Sequence, residues 1–267
     1  PEYWDAANVK LEKIDIYQSD DIEENAFSFN TGAIDWISSS ADVKKLLDKN
    51  AAQVTAEFAT EYLFFKQHGG VWDNAELRNA LLEAVPWDKL REGAFVPAPT
   101  FVYPLNNYPQ VEGFSYSDAE EAANLMAEAR KNAEIPADKI LVLNFVITDT
   151  EYMAKQAQIL CDAWKPLGVD VVVEKIASDK YLSSIDTSDG DLFSYTWIGD
   201  FADPLAFLEL FRGDSTLNVA GWKNAEYDKL LSDAALYQDA EHFKLLAKAE
   251  QLLLDSGMVL PVSHPVS

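Results

Sequence analysis

Cysteine and histidine are scarce in this chain of 267 residues. The single cysteine, Cys161, permits no internal disulfide, and its place in an amphipathic helical pattern predicts a buried thiol rather than a nucleophile. His68, His242 and His264 are far apart in sequence, and none has a second ligand at the spacing of a metal site. We therefore expect no metal ion, and we expect His242, near a predicted helix start, to be solvated.

An initiating methionine, a signal segment and long apolar runs are also lacking. No apolar stretch approaches the length of a membrane-spanning helix, so we expect no membrane insertion of this segment. Because the chain begins at Pro1, we expect it to be a mature product or an engineered fragment.

Basic residues are few: 21 lysines and arginines stand against 45 aspartates and glutamates, for a formal net charge of −24. Such a field repels nucleic acid and anionic membrane surfaces, which excludes nucleic acid as a partner. The hydrophobic content of 48% and the aromatic content of 12% predict a globular chain with a real core, in one large domain or two lobes.

The sequence motifs of the common enzyme classes are missing. There is no G-x-G-x-x-G after a strand, no Walker loop, no nucleophile elbow and no H-E-x-x-H. With 45 carboxylates, chance pairing prevents the assignment of an acid–base pair. We expect a protein that is not an enzyme and has no cofactor, and a hydrolase that uses two carboxylates is the remote alternative.

Hydrophobic periodicity predicts strands that alternate with helices, which indicates an α/β fold with at least some parallel pairing. The predicted strands cover residues 9–16, 33–37, 54–65 (as one or two strands), 139–147, 169–176, 191–197 and 258–262. The predicted helices cover residues 20–30, 41–49 and 153–167, and others begin at Asn74, at a Ser117–Glu120 capping box, at Asn224 and at Asp239. Residues 95–109 contain four prolines, which exclude a helix or a central strand and leave a hinge and a surface loop open.

The stretch with the clearest candidate binding residues runs from residue 191 to residue 222. Its predicted strand carries Tyr195 and Trp197, breaks at Gly199 and exposes Asp200, and Asp203 is placed to cap the helix that follows. Loops at strand ends commonly display binding groups on a rigid scaffold. On pattern alone, the alternative of a core tryptophan and a turn aspartate is preferred.

Six segments are each weak signals but are specific together: PEYWDAANVKLEKIDIY, NTGAIDWI, WDNAELRNALLEAVPWDKL, WIGDFADPLAFLELF, GWKNAEYDKLL and LAKAEQLLLDSGMVLPV. In this order they resemble the family-5 extracellular solute-binding proteins, the oligopeptide- and dipeptide-binding group, over nearly the whole chain. The resemblance implies an α/β, periplasmic-binding-protein-like fold of class II or cluster C type, with two lobes and mixed sheets flanked by helices. It also implies that the first lobe is incomplete. The implied domains are residues 1–95 (part of the first lobe), 96–109 (hinge or crossing), 110–258 (second lobe) and 259–267 (return strand).

The resemblance further implies the solute-binding component of an ABC importer, which captures oligopeptides between its lobes through backbone hydrogen bonds. The family's Trp-x-x-Asp stretch assigns Asp200 to the α-ammonium group of the ligand and Trp197 to the cleft, with Tyr195, Gly199 and Trp222 as further ligand-binding candidates. Ser194 stands where well-known oligopeptide binders have an arginine, which puts carboxylate anchoring by that route in doubt.

The remaining expectations follow from the same resemblance. The partners are a small peptide and ABC permease subunits, the protein is a monomer, and it lies in the periplasm or at the cell surface, lipid-anchored or soluble. An oligosaccharide, or another solute such as nickel or haem, is the alternative ligand, and nickel is disfavoured by the few histidines. Because half of a clamp cannot exclude water, we expect this segment alone to bind peptide poorly.

Overall fold

A computed structural model describes residues 3–19, 21–38, 41–94, 96–238 and 240–266. The chain divides into two compact units, one of Pro1–Thr55 with Ser267 and one of Ala56–Val266.

The first unit contains one α-helix within its described residues, α1 (Ile22–Asn30). Its N-cap is Asp21, whose Oδ1 accepts hydrogen bonds from the backbone N–H groups of Glu23 and Glu24, each at 3.0 Å. Gly32 follows with a φ of 73°, a left-handed conformation that glycine adopts without strain. The helix predicted from residue 20 is confirmed from residue 22 onward, and residue 20 itself lies outside the described residues.

Two strands predicted in the first unit are wrong, because residues 9–16 and 33–37 form no strand. Ile14 and Ile16 are 71% and 90% exposed, and no neighbouring strand pairs with these segments in the described part of the unit. A strand without a partner leaves its backbone donors and acceptors unpaired, so an alternating pattern alone does not produce one.

The helix predicted at residues 41–49 is also wrong. Two 3₁₀ turns occupy the region, Val43–Lys45 and Lys49–Ala51. The side chains of Asp42 and Asp48 accept hydrogen bonds from the backbone N–H groups two residues later, and each begins its own short turn. Aspartates that bond locally in this way compete with a continuous helix.

The second unit is built on a single five-stranded mixed sheet. Its strands are β1 (Ala59–Phe65), β2 (Leu141–Thr148), β3 (Val169–Ile176), β4 (Leu192–Ile198) and β5 (Val259–Ser263). The strand order is β3-β2-β4-β1-β5, in which β2 is parallel to β3 and β4, while β1 is antiparallel to β4 and β5. The predicted α/β class with some parallel pairing is confirmed, and β3 has the predicted bounds.

Helices flank this sheet in the second unit. They are α2 (Ala75–Glu83), α3 (Trp87–Leu90), α4 (Ala119–Asn132), α5 (Glu151–Trp164), α6 (Ser178–Ile185), α7 (Leu205–Leu208), α8 (Ala225–Ala234) and α9 (Ala240–Asp255). The predicted caps Asn74 and Asn224 are confirmed, since each side chain accepts from two backbone N–H groups of its helix. The predicted cap Asp239 lies outside the described residues.

The predicted capping box at Ser117 is wrong, because the neighbouring Asp118 caps α4. Its Oδ1 accepts from the backbone N–H groups of Glu120 and Glu121 at 2.9 and 3.0 Å. Both residue types have capping chemistry, but the aspartate also brings a negative charge to the positive end of the helix dipole.

The core of the second unit lies on both faces of β1 and at the start of β4. Phe64 stacks on Phe193 across the two strands, with ring centroids 5.7 Å apart. Trp72, Trp87 and Trp164 are almost completely buried around them. Burial of such large side chains is the main contribution to the stability of the fold. This aromatic core therefore holds in place the strand ends that carry the candidate binding residues.

Residues 96–109 form no helix or strand, as predicted. The segment is held to α9 by Glu250, which is completely buried and accepts hydrogen bonds from Phe101 N (2.9 Å), Val102 N (2.8 Å) and Tyr108 Oη (2.9 Å). Burial raises the pKa of Glu250 to about 7, although these three hydrogen bonds act in the opposite direction.

The division between the compact units falls after residue 55, well before residue 95. Residues 56–94 and 259–266 join the second unit because β1 lies between β4 and β5 in one sheet. The predicted lobe boundaries (1–95, 96–109, 110–258 and 259–267) stay a prediction.

Candidate functional site

The end of β4 carries two stacked aromatic side chains, Tyr195 and Trp197, which we call the aromatic ridge. Their ring centroids are 6.4 Å apart with an interplanar angle of 26°, and both side chains are half-buried. They lie on one face of the sheet because alternate residues of a strand share a face. Each side chain therefore combines support from the core with an accessible surface.

Hydrogen bonds hold this strand end in place. The indole Nε1 of Trp197 donates to the carbonyl oxygen of Ala206 at 2.7 Å, which joins the ridge to α7. The backbone N–H of Gly199 donates to the carbonyl oxygen of Phe58 at 2.7 Å, which joins the turn to the segment before β1. Hydrogen bonds thus hold the end of β4 and the turn after it to two neighbouring segments, α7 and the residues before β1.

Gly199 is required by close packing. A Cβ atom at this position would lie 2.5 and 2.6 Å from two ring carbons of Phe58 and 3.3 Å from the Cβ of Ala206. The Phe58 ring itself packs edge-on against Phe207, 4.9 Å away, so it has little freedom to move.

We expect Gly199→Ala to lower the free energy of unfolding of the second unit by about 1–3 kcal/mol, the usual cost of overpacking a well-packed site. Urea denaturation followed by circular dichroism would measure it, with Thr196→Ala on the exposed part of the same strand as the matched control. An unchanged denaturation midpoint in Gly199→Ala would contradict the packing argument.

Asp200 is exposed at the turn, and no hydrogen bond or ion pair to its side chain occurs within the described ranges. Its neighbour Asp203 is fully used, because Oδ1 accepts from the backbone N–H of Leu205 at 2.9 Å and Oδ2 pairs with His242 at 2.9 Å. The helix α7 begins at Leu205 with Pro204 in the N-cap position, so the predicted N-cap Asp203 is one residue too early, although its carboxylate still accepts from the first backbone N–H of the helix. Of the two aspartates in the turn, Asp200 is the one available to a ligand.

His242 was expected to be solvated, and this expectation is wrong. Its Nδ1 lies 2.9 Å from the carbonyl oxygen of Ala234 and its Nε2 lies 2.9 Å from Asp203, so both ring nitrogens face acceptors, which favours the doubly protonated ring. Burial opposes the resulting charge, but the hydrogen bonds to Ala234 and Asp203 outweigh it and raise the pKa of His242 above its ordinary value. The imidazolium ties the turn to the end of α8.

Ser194 and Trp222 are both buried, unlike the half-buried side chains of the aromatic ridge. Ser194 is buried on the other face of β4, where its backbone N–H and its hydroxyl both bond to the Tyr181 hydroxyl of α6. Trp222 is 5% exposed and packs edge-on against Tyr227. The structure brings Tyr195, Trp197, Gly199 and Asp200 together, and the ligand roles of Ser194 and Trp222 stay predictions without exposed surface to support them.

A cavity of about 470 Å³ opens at the same end of the strands, on the face of the sheet opposite to the aromatic ridge, since its Glu61 pairs with Thr196. Three of its lining residues form what we call the acceptor cavity: Glu61 of β1, Tyr152 of α5 and Ser263 of β5. Glu61 Oε2 accepts from Tyr152 Oη at 2.9 Å and from Ser263 Oγ at 2.7 Å. Sequence reasoning missed this group, and its only signal was a carboxylate within an otherwise apolar strand.

The parts of the chain that the structure describes contain no group of three or more histidine, cysteine, aspartate or glutamate side chains able to hold a metal ion. Nor does any helix in the described ranges combine the length and the apolar character that a membrane crossing requires.

Comparison with protein families gives a match over residues 1–218 to the family described as bacterial extracellular solute-binding proteins, family 5 Middle. The oligopeptide-binding protein OppA of Bacillus subtilis (strain 168) is 28% identical over 98% of this chain and 51% of its own length. The periplasmic oligopeptide-binding protein OppA of Salmonella typhimurium is 26% identical over 100% of this chain and 52% of its own length.

Among solved structures, Haemophilus influenzae OppA in complex with the peptide RPPGFSPFR superimposes with a TM-score of 0.74. It is 22% identical, and the match covers 91% of this chain and 51% of that one, which establishes a common fold. The chain spans about half the length of the curated relatives it matches.

Proposed function

This chain belongs to the bacterial extracellular solute-binding proteins of family 5, and we propose on that basis that it captures short peptides for an ABC importer. The observation that carries the proposal is the exposed, unpaired Asp200 carboxylate beside the aromatic ridge. A free carboxylate next to apolar rings suits a ligand that presents an ammonium group close to an apolar body.

The proposed chemistry is recognition without reaction. Asp200 accepts a charge-assisted hydrogen bond from the α-ammonium group of the peptide, and Trp197 and Tyr195 contact the first residues of the ligand. The remaining affinity comes from hydrogen bonds to the peptide backbone, which tolerate varied side chains. The ion pair gains strength when the surrounding protein excludes water, because screening by solvent then falls.

The wider setting follows from the family. We propose that the protein acts as a monomer in the periplasm or at the cell surface, either lipid-anchored or free. We also propose that it delivers its ligand to permease subunits and catalyses no reaction on it. A net charge of −24 favours cationic over anionic ligands in the encounter.

Isothermal titration with a pool of tri- to pentapeptides tests the function. If the gene encodes a longer chain, its complete product is titrated beside residues 1–267. We expect the complete product to bind the pool and to lose most of its affinity when the same peptides are acetylated at the amino terminus. We expect residues 1–267 alone to bind poorly, and micromolar or tighter binding by them would contradict that expectation.

Equal binding of free and acetylated peptides would retain peptide capture and reject the ammonium pair. Absence of binding to both pools, together with binding of an oligosaccharide or a metal chelate, would overturn the peptide proposal.

A further inference from the structure

The turn after β4, residues 199–203, carries the exposed carboxylate of the candidate site, and we call it the binding turn. Asp203 closes it. The backbone N–H of Asp203 donates to the carbonyl oxygen of Phe201 at 2.8 Å, and its Oδ1 accepts from the backbone N–H of Leu205 at 2.9 Å. Its carbonyl oxygen accepts from the backbone N–H of Ala206 at 3.0 Å. The placement of Asp203 therefore determines how the binding turn enters α7.

The short helix α7 also supports the aromatic ridge. The indole Nε1 of Trp197 donates to the carbonyl oxygen of Ala206 at 2.7 Å. At the other end of α7, the completely buried Tyr227 of α8 donates its hydroxyl proton to the carbonyl oxygen of Leu208 at 2.6 Å. The binding turn and the aromatic ridge thus depend on the same helix, which Tyr227 holds at its end and Asp203 at its start.

His242 connects Asp203 to α8. Its Nε2 lies 2.9 Å from Asp203 Oδ2, and its Nδ1 lies 2.9 Å from the carbonyl oxygen of Ala234, the last residue of α8. The side chains of His242 and Asp203 are only 15% and 25% exposed. Because a carboxylate and a carbonyl oxygen have no proton to give, a neutral ring can donate to only one of them. Loss of one ring proton therefore breaks one of the two links.

The titratable groups around His242 are few among the described residues. Asp203 faces it from the binding turn. From the segment 96–109, Tyr108 packs edge-on against the ring of Phe243, and burial raises the pKa of Tyr108 far above its ordinary value, so its hydroxyl is neutral. Tyr108 bonds to Glu250, whose pKa of about 7 lies in the same range as that of a histidine. The charged neighbours in sequence form ion pairs within their own helices: Asp233 with Lys229 on α8, and Glu241 with Lys244 on α9.

We propose that His242 is a positioning residue, whose two hydrogen bonds hold the binding turn in the orientation that peptide capture requires, so that peptide affinity falls as the pH rises. This step rests on the proposed function. Burial opposes the charge on His242, but the hydrogen bonds to Ala234 and Asp203 outweigh it and raise its pKa above the ordinary value of 6.5. The positioning effect is therefore fully present below pH 6.5 and is lost as the pH passes the raised pKa.

The first test needs no peptide and uses residues 1–267. Hydrogen exchange of the Trp197 Nε1–H, followed by NMR from about pH 6 to pH 9, reports how firmly α7 is held. We expect its protection factor to fall roughly tenfold or more as His242 loses its proton, as for loss of a hydrogen bond to a charged group. The Trp164 Nε1–H donates to the carbonyl oxygen of Leu81 at 2.8 Å and is the internal control, with unchanged protection. Parallel profiles of the two indoles would overturn the proposal.

The second test is the variant Asp203→Asn. Its Oδ1 still accepts from Leu205, and its Nδ2 can donate to the Nε2 lone pair of a neutral His242, whose Nδ1–H donates to Ala234. This uncharged network keeps both links at high pH. We therefore expect the complete gene product with Asp203→Asn to bind a tripeptide roughly tenfold more tightly than the parent does at about pH 8.5, and equally well at about pH 6. Comparison at one pH removes the titration of the peptide's own ammonium group.

His242→Gln is the opposite variant, because its amide hydrogens lie on one nitrogen and cannot reach acceptors on two sides of a ring. It should bind as weakly at pH 6 as the parent does at pH 8.5. His68→Gln is the matched control, since His68 forms the same kind of pair with Asp191, 2.9 Å away and just before β4, at the end of the strands away from the binding turn. It should leave the affinity unchanged at both pH values.

Each comparison is repeated in the Glu250→Gln background, because Glu250 titrates in the same pH range. We expect the difference between the parent and Asp203→Asn at high pH to persist there. Peptide binding with parallel pH profiles in the parent and Asp203→Asn would overturn the positioning role and leave the proposed function standing. Absence of peptide binding in every variant and at every pH would overturn both.

Discussion

Replacement of Asp200 by asparagine is expected to weaken the binding of free-amino peptides by roughly ten- to a hundredfold, the effect of losing a hydrogen bond to a charged acceptor. The asparagine keeps the size of the side chain and one acceptor oxygen but removes the charge that attracts the ammonium group. No other side chain in the described ranges bonds to Asp200, so the substitution breaks no internal contact and should leave the melting temperature unchanged.

Isothermal titration of the complete gene product and of its Asp200→Asn variant with one tripeptide, free and acetylated, measures the effect. Asp138→Asn is the control, because Asp138 is also exposed but precedes β2, at the opposite end of the strands from Asp200. The free peptide should lose affinity for Asp200→Asn only, and the acetylated peptide should bind the parent and Asp200→Asn alike. An equal loss in Asp138→Asn would point to the general negative field instead of a specific pair.

Ionisation of Glu250 is expected to lower the free energy of unfolding of the second unit as the pH rises. Burial raises the pKa of this carboxyl in the folded protein from its ordinary value of 4.5 to about 7. The folded state therefore holds a proton that the unfolded state has lost, so the contribution is fully present below pH 4.5 and disappears as the pH passes 7. The difference amounts to about 3 kcal/mol at 1.36 kcal/mol per pKa unit.

Urea denaturation at a series of pH values from 4.5 to 8.5, in the parent and in Glu250→Gln, tests this. Glutamine keeps an acceptor for Phe101 N and Val102 N but does not titrate, so its stability should fall less across this range, by about 3 kcal/mol. The raised pKa of His242 acts in the same direction in both proteins, whereas the lowered pKa of His264 removes stability toward acid. Parallel pH profiles of parent and variant would contradict the assignment to Glu250.

Much of the second unit is predictable because its signals are local. The run 169–176 is bounded by Gly168 in a left-handed turn, with a φ of 74°, and its β-branched residues form β3 with the predicted ends. The segments 9–16 and 33–37 have comparable alternation but no partner strand among the described residues of the first unit. Alternation of apolar and polar residues shows which side chains would share a face of a strand. It does not show whether a neighbouring strand is present to pair with it.

The candidate site likewise has a part that the local sequence predicts and a part that it does not. The exposure of Asp200 follows from the local sequence, since a glycine breaks the strand directly before it. The acceptor cavity does not, because Glu61, Tyr152 and Ser263 come from distant parts of the chain and meet only through the register of β1 with β5 and the placement of α5. His242 was missed for the same reason, since its partner Asp203 belongs to another segment.

The position of β1 between β4 and β5 also sets an order of events during synthesis. Phe64 of β1 pairs with Val259 of β5, about 200 residues later in the chain. As a polypeptide leaves the ribosome from its amino terminus, β1 must wait with both edges unpaired until β4, and then β5, have been made. Such distant pairing gives the sheet a high contact order. Folding is slowed because the intervening chain must lose conformational entropy before the stabilising contacts between the strands form. The nascent chain thus carries an apolar, unpaired strand until β4 and then β5 have been synthesised, a period in which aggregation competes with folding.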